Sequence, residues 1–147
     1  MSSTILFDLD GTLADNSHRQ HFLLGDKKDW GAFFDAQEHD VPNDPIVTLY
    51  KALFASEEFS VLVVTARPER YRQNTEKWFA SHDIPLGRML MRVDGDRRSD
   101  EVIKREMLVE LKQEGSVPLF VVDDRSGVVD MWRSEGITCL QCADHNF

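Results

Sequence analysis

At 147 residues the chain has the size of one domain, and 41% hydrophobic with 29% charged residues is the make-up of a globular protein with a real core, not a disordered or fibrous one. No stretch approaches the roughly 20 apolar residues that span a bilayer, and Met1-Ser2-Ser3 carries no basic segment ahead of an apolar run that stops at Asp8, so the expectation is a cytoplasmic protein without signal peptide or membrane contact. The net charge of −9, from 26 acids against 17 bases, excludes non-specific coating of long nucleic acid. It leaves open a local grip on a terminal nucleotide, and part of the acidity fits a cation site.

In chain order, Thr4 to Asp10 reads as a strand closed by Gly11. Residues 14–43 make a longer connection than two elements need, and Trp30, Phe33 and Phe34 share one helical stripe. Either this segment is a small helical cap or the stripe is ordinary core. Pro45 to Ser56 predicts a helix with Val47, Leu49, Tyr50 and Leu53 at helical spacing. Ser60 to Ala66 is a second, almost wholly apolar strand, and Pro68 is expected to open the next helix, which holds Tyr71, Trp78 and Phe79. Met89 to Met91 is a short third strand. Ser99 is placed to cap a helix through Val102, Ile103, Met107, Leu108 and Leu111. Pro118 to Val122 is a fourth strand running into Asp123-Asp124, Val128, Val129 and Trp132 mark another helix, and Ile137 to Gln141 is a fifth strand. Short apolar strands alternating with helices predict an α/β domain with a parallel sheet covered on both faces. Cys139 and Cys142 form a lone C-x-x-C with no partners at zinc spacing, which favours packed, inert thiols.

The chemistry-bearing residues fall at strand ends. Asp8 and Asp10 are two apart, so on a strand they share a face; Gly11 permits a tight turn and Thr12 can bond within it. One carboxylate can attack phosphorus while the other protonates the departing oxygen and later activates water. Asp123 and Asp124 repeat the pattern after the fourth strand. Four carboxylates at adjacent strand ends repel without a cation, and oxygen ligands suit magnesium. The competing reading of Asp124 is a cap on a helix beginning near Arg125. Thr65 and Arg67, with Ala66 between them, end the second strand as candidate phosphate or substrate ligands. Asp100 and Lys104 lie on one helical face, either serving the phosphate or forming a solvated pair. Arg88, Arg92, Arg97, Arg98 and Arg105 form a basic stretch that either approaches a leaving group or is solvated surface.

Taken together, the chain resembles the haloacid dehalogenase superfamily: Asp8-Leu-Asp10-Gly-Thr-Leu13 matches its first motif, Thr65 its second, Lys104 its third and Asp123-Asp124 its fourth. Within that superfamily it is similar to the 3′-phosphatase domain of polynucleotide kinase–phosphatases of the phage type, over nearly the whole chain and most densely through Val121 to Arg133. The resemblance implies a three-layer Rossmann-like fold, a central parallel five-stranded sheet in the order 5-4-1-2-3, and a small helical cap at 14–43 inside a single domain of residues 1–147. It implies Asp8 as nucleophile, Asp10 as acid and base, and a magnesium ion contacting Asp8, Asp10 through its backbone carbonyl, and one or both of Asp123 and Asp124. Arg19, Arg67 and Asp100 become phosphate or substrate residues, and the substrate a nucleotide or nucleic-acid 3′-end. A 5′-nucleotidase, a general small-molecule phosphatase and a non-catalytic phosphate-binding module are the alternatives. The kinase half of such proteins needs a G-x-x-x-x-G-K-[S/T] loop; this chain has none, so no kinase activity is expected of it.

Overall fold

The computed structural model of the chain describes residues 3–145; Met1 and Ser2, part of the leader reading, lie outside them. The main sheet holds β1 (Ser3–Phe7), β4 (Phe59–Pro68), β5 (Met89–Arg92), β6 (Phe120–Arg125) and β7 (Cys139–His145), all parallel, in the order β5-β4-β1-β6-β7. A two-stranded antiparallel pair, β2 (Ala14–Asp15) with β3 (Val41–Pro42), lies between β1 and β4 in sequence and shifts the numbering; counting only the main sheet's strands, the order from the β7 edge is fifth, fourth, first, second, third. The helices are α1 (Trp30–Asp35), α2 (Asp44–Ala55), α3 (Arg72–Ser81), α4 (Asp100–Gln113) and α5 (Ser126–Ser134), with 3-10 turns at Ser17–Leu23, Ala36–His39 and Glu69–Tyr71.

The centre of the sheet explains the three layers. Ile5, Leu6 and Phe7 are all fully buried, which requires cover on both faces. Ile5 and Phe7 pack with Val47 and Tyr50 of α2 and Trp78 and Phe79 of α3. Leu6, pointing the other way, packs with Ile103 and Leu108 of α4 and Val128 and Trp132 of α5. Cys139 belongs to this second core and Cys142 packs against the first. Burial pushes their thiols up to about 12 and about 11, so packing, not reactivity, is their role. Among the described residues no helix is long and apolar enough to cross a membrane.

Several boundaries differ from the sequence expectation. β1 stops at Phe7, not Asp10. The chain then folds into a tight turn in which the Leu9 carbonyl accepts from the amides of Thr12, Leu13 and Ala14, and Gly11 takes φ +82. A side chain at position 11 would collide with the Asp124 carboxylate, so glycine is required twice over. Pro68 ends β4 in extended backbone (φ −63, ψ 148) and does not open a helix; the Glu69–Tyr71 turn intervenes before α3. Asp124 remains inside β6, and the position ahead of α5 is held by Arg125, so Asp124 is not a helix cap. Ser99 does precede α4, but its side chain makes no capping bond.

Candidate active site

The register of the sheet builds the site. Phe7 pairs with Val122 across β1 and β6, so Asp8 and Asp123 emerge side by side, and the Asp8 amide donates to the Val122 carbonyl at 2.9 Å. Asp8, Asp123 and Asp124 are buried, and each offers an oxygen within 4.8 Å of the others. From α4, Lys104 reaches across with Nζ 2.7 Å from Asp8 Oδ1 and 2.8 Å from Asp123 Oδ2. Thr12 Oγ1 lies 2.9 Å from Asp8 Oδ2 and 3.1 Å from Asp124 Oδ1. Trp132 Nε1 donates to Asp123 Oδ2 (3.2 Å), and the Asp124 amide donates to Asp123 Oδ1 (2.8 Å). His145 Nδ1 lies 2.6 Å from Asp124 Oδ2 at the outer side.

Three carboxylates thus face a single buried ammonium, an arrangement that favours a divalent cation with hard oxygen ligands. The electrostatics agree. Burial, reinforced by the charge of Asp123 and opposed by Lys104, raises the Asp8 carboxyl well above its usual range. Burial together with Asp123 pushes Asp124 up to about 6, against hydrogen bonds from Asp8 and Thr12 and the charge of Lys104. Burial alone would lower Lys104, but Asp123 and Asp8 outweigh it and hold the ammonium charged.

Asp10 stands in a different environment. Its carboxylate accepts from Arg67 Nε (3.0 Å) and Nη2 (2.7 Å) and from Arg19 Nη2. Burial would raise this group, yet the two guanidiniums hold it well below the usual carboxylate range. Behind it, Arg19 also donates to both oxygens of Asp40 (2.8 and 2.7 Å) and to the Phe33 carbonyl (2.9 Å). Arg67 also donates to Gln37 Oε1 and Thr75 Oγ1 (3.0 Å).

The sequence candidates are therefore brought to one place, but not in one role. Asp8, Asp10, Ala66, Asp100, Lys104, Asp123 and Asp124 line a narrow pocket of about 30 Å³, with Trp30, Phe33 and Phe34 of α1 on the same wall. Arg19, Thr65 and Arg67 are buried behind that lining; the Thr65 hydroxyl accepts from the Arg67 amide at 3.2 Å. Asp100 and Lys104 are not a solvated pair: Lys104 is buried in the carboxylate cluster, and Asp100 accepts from Arg92 (2.7 Å) and Arg125 (2.6 Å). Sequence reasoning missed Asp40, Gln37 and Thr75, which no motif or periodicity marks, and read Trp132 only as a helix position, not as a donor to Asp123. Beside the pocket, sharing Trp30, Phe34, Asp100 and Arg125 with it, runs a cleft of about 990 Å³. Lys27, Lys28, Arg70, Arg92, Arg97 and Arg98 give its walls a basic excess over Asp29, Asp96 and Asp100. Of the basic stretch, Arg88 and Arg105 lie elsewhere, paired with Glu114 and Glu135.

The family model of the polynucleotide kinase PNKP phosphatase domain matches residues 2–147. The chain belongs to this family. It is a phosphatase of the haloacid dehalogenase type, as the strand-end motifs imply. A chain in the structure of the Pnkp1/Rnl/Hen1 RNA repair complex superposes with a TM-score of 0.84 at 30% identity, over 99% of this chain and 44% of that one. A chain in a second structure of the Pnkp1/Rnl/Hen1 complex gives 0.81 at 31% identity, over 100% and 48%. The phosphatase chain thus spans less than half the length of these two relatives. A putative β-phosphoglucomutase from Thermotoga maritima shares the fold, at a TM-score of 0.63 and 16% identity over 98% of this chain and 94% of that one.

The raised carboxyls give a stability prediction for the metal-free phosphatase. Asp124 binds its proton at about 6 when folded, against the usual 3.8, and Asp8 shifts the same way. Folding therefore takes up protons between these values, so stability rises as pH falls toward 5 and is lost as pH climbs through 6. Chelator-treated protein should melt a few degrees higher at pH 5 than at pH 7 by calorimetry, and Asp124→Asn should flatten the difference.

Proposed function

We propose that the chain is a magnesium-dependent phosphomonoesterase that forms an aspartyl-phosphate on Asp8 and removes the 3′-phosphate of nucleotides or polynucleotide ends. The observation that carries the chemistry is Asp8 beside Lys104, Asp123 and Asp124 at the ends of β1 and β6. The observation that carries the substrate class is a basic cleft on an otherwise acidic chain, adjoining that pocket. It fits phosphodiester neighbours of a terminal phosphate.

The carboxylates of Asp8, Asp123 and Asp124 and the backbone carbonyl of Asp10 would hold the magnesium ion, which supplies positive charge against the phosphoryl oxygens. In the first step an Asp8 carboxylate oxygen attacks phosphorus, the bond from phosphorus to the ester oxygen breaks, and Asp10 delivers a proton to the departing hydroxyl. In the second step Asp10 takes a proton from water, whose oxygen attacks the same phosphorus; inorganic phosphate leaves and the Asp8 carboxylate is restored. Lys104 sits on Asp8 throughout and offsets the charge gathered there. The paired guanidiniums favour the ionised form of Asp10, the form that serves as base in the second step; the proton that Asp10 carries into the first step is therefore held weakly and passes readily to the far more basic alkoxide. Residues 14–43 act as the cap, with α1 closing the pocket over the reacting group.

Asp8→Asn should abolish phosphate release, a fall of at least about 10³-fold, while leaving the circular dichroism spectrum unchanged; retained turnover would end the nucleophile assignment. Stripping divalent ions with a chelator should stop the reaction and added magnesium restore it; undiminished turnover in chelator would refute the metal requirement. With magnesium present, phosphate release should rank a 3′-phosphorylated oligonucleotide above a 3′-mononucleotide and both above a 5′-mononucleotide. The oligonucleotide's advantage should shrink as salt rises, because counterion release drives it. Equal rates on 3′- and 5′-monophosphates would replace this reading with a general nucleotidase.

A further inference from the structure

The two buried arginines pose a problem that the reaction scheme leaves open. Every nitrogen of the Arg67 side chain already donates inside the protein: Nε and Nη2 to Asp10, Nη2 also toward Asp40 (3.4 Å), and Nη1 to Gln37 and Thr75. Arg19 is fully buried and spends its donors on Asp10, both oxygens of Asp40 and the Phe33 carbonyl. Neither lines the pocket. Their charges are balanced one for one by Asp10 and Asp40. Of these four side chains only Asp10, 16% exposed, reaches the pocket; Asp40 is fully enclosed.

We propose that Asp40 is a positioning residue for Asp10: it clamps Arg19 with both carboxylate oxygens and shares Arg67, so that two fixed guanidiniums aim the Asp10 carboxylate into the pocket. This rests on the acid–base reading of Asp10. The clamp is built for rigidity. The Asp40 carbonyl accepts from Trp78 Nε1 (2.9 Å), its amide donates to the Gln37 carbonyl (3.0 Å), and His18 Nε2 lies 2.7 Å from its Oδ1. Gln37 and Thr75 pin the opposite end of Arg67, and Thr75 in turn donates to the Tyr71 carbonyl (2.8 Å) and lies 2.9 Å from Gln37 Oε1. Without Asp40, two buried cations converge on one carboxylate and follow it, and the orientation of Asp10 is no longer imposed. A misplaced proton-transfer group loses rate without losing substrate, because the pocket of Asp8, Lys104, Asp123 and Asp124 is held by other bonds.

The test separates proton transfer from phosphoryl capture. Asp40→Asn, Gln37→Leu and Asp10→Asn are compared with the unaltered chain, with magnesium, in single-turnover and steady-state assays. One substrate is a nucleoside 3′-monophosphate, whose alkoxide leaving group needs a proton; the other is p-nitrophenyl phosphate, whose leaving group does not. Asp40→Asn should slow nucleoside release by about 10- to 100-fold while the first burst of nitrophenolate stays within about threefold and KM rises on neither substrate. Steady nitrophenolate turnover should fall behind its burst, because hydrolysis of the aspartyl-phosphate also uses Asp10. Gln37→Leu should show the same split with a smaller amplitude, and it decides the matter if Asp40→Asn does not fold. Parallel loss of burst and nucleoside release, a rise of KM on both substrates, or no change on either overturns the proposal. If Asp10→Asn slows the first-turnover release of nucleoside and of nitrophenolate alike, the acid–base reading of Asp10 falls and takes the proposal with it.

Discussion

The structure depends on one buried ammonium. Lys104 leaves α4, crosses the layer between helix and sheet, and ends between Asp8 and Asp123 at 2.7 and 2.8 Å. Taking an ammonium and two carboxylates out of water costs several kcal/mol per ion, and their mutual attraction repays this only when the geometry is tight and the remaining lone pairs are satisfied. Here they are: Thr12 and the Asp124 amide serve the oxygens that Lys104 leaves, and Trp132 shares Asp123 Oδ2 with the ammonium. The same bonds tie α4, β1 and β6 together at the end of the sheet. Replacing Lys104 with an apolar residue would leave three carboxylates crowded in the core, so the interaction that orders the strand ends also makes the site tolerable to the fold.

Charge in the pocket is divided into two sets with different consequences. Asp8, Asp123 and Asp124 outnumber their lysine, and burial raises Asp8 and Asp124, so this half takes up protons or a cation readily. Asp10 and Asp40 are matched by Arg19 and Arg67, and the Asp10 carboxyl is lowered in spite of burial. Two aspartates separated by one residue thereby acquire opposite tendencies. The separation follows from the turn at Gly11: because β1 ends at Phe7, Asp8 stays with the strand ends while Asp10 swings toward β4 and the 14–43 segment.

That turn also marks the limit of what the sequence could tell. The five strands, the covered sheet and the residues at strand ends were legible because apolar runs and the D-x-D-G-T and D-D motifs are local signals. The shared strand face assigned to Asp8 and Asp10 was not correct, since it assumed a strand running to Asp10 and the one formed ends at Phe7. Pro68 read as a helix start because proline is common there, yet it closes β4 in extended backbone. Asp40 and Gln37 carry no signal at all. Their importance arises only when Ala36–His39 folds back over the end of β4 and meets Arg67 and Thr75, a contact between segments 30 or more residues apart.

The stripe of Trp30, Phe33 and Phe34 could be read as cap or as core, and the structure buries Phe33 while setting all three rings on the pocket wall. Phe33 is buried with its ring 4.2 Å from the Arg19 guanidinium, and its carbonyl accepts from Arg19. Trp30 and Phe34 stack at 5.9 Å and form the wall shared by the pocket and the basic cleft. One short helix therefore touches both the pocket and the basic cleft on one side and, on the other, the Arg19 that holds Asp10. A ligand that presses on Trp30 and Phe34 would be coupled through Phe33 and Arg19 to Asp10, the carboxylate proposed to handle the proton. On the proposed reading, recognition of the leaving group and placement of the proton-transfer residue are properties of the same six residues.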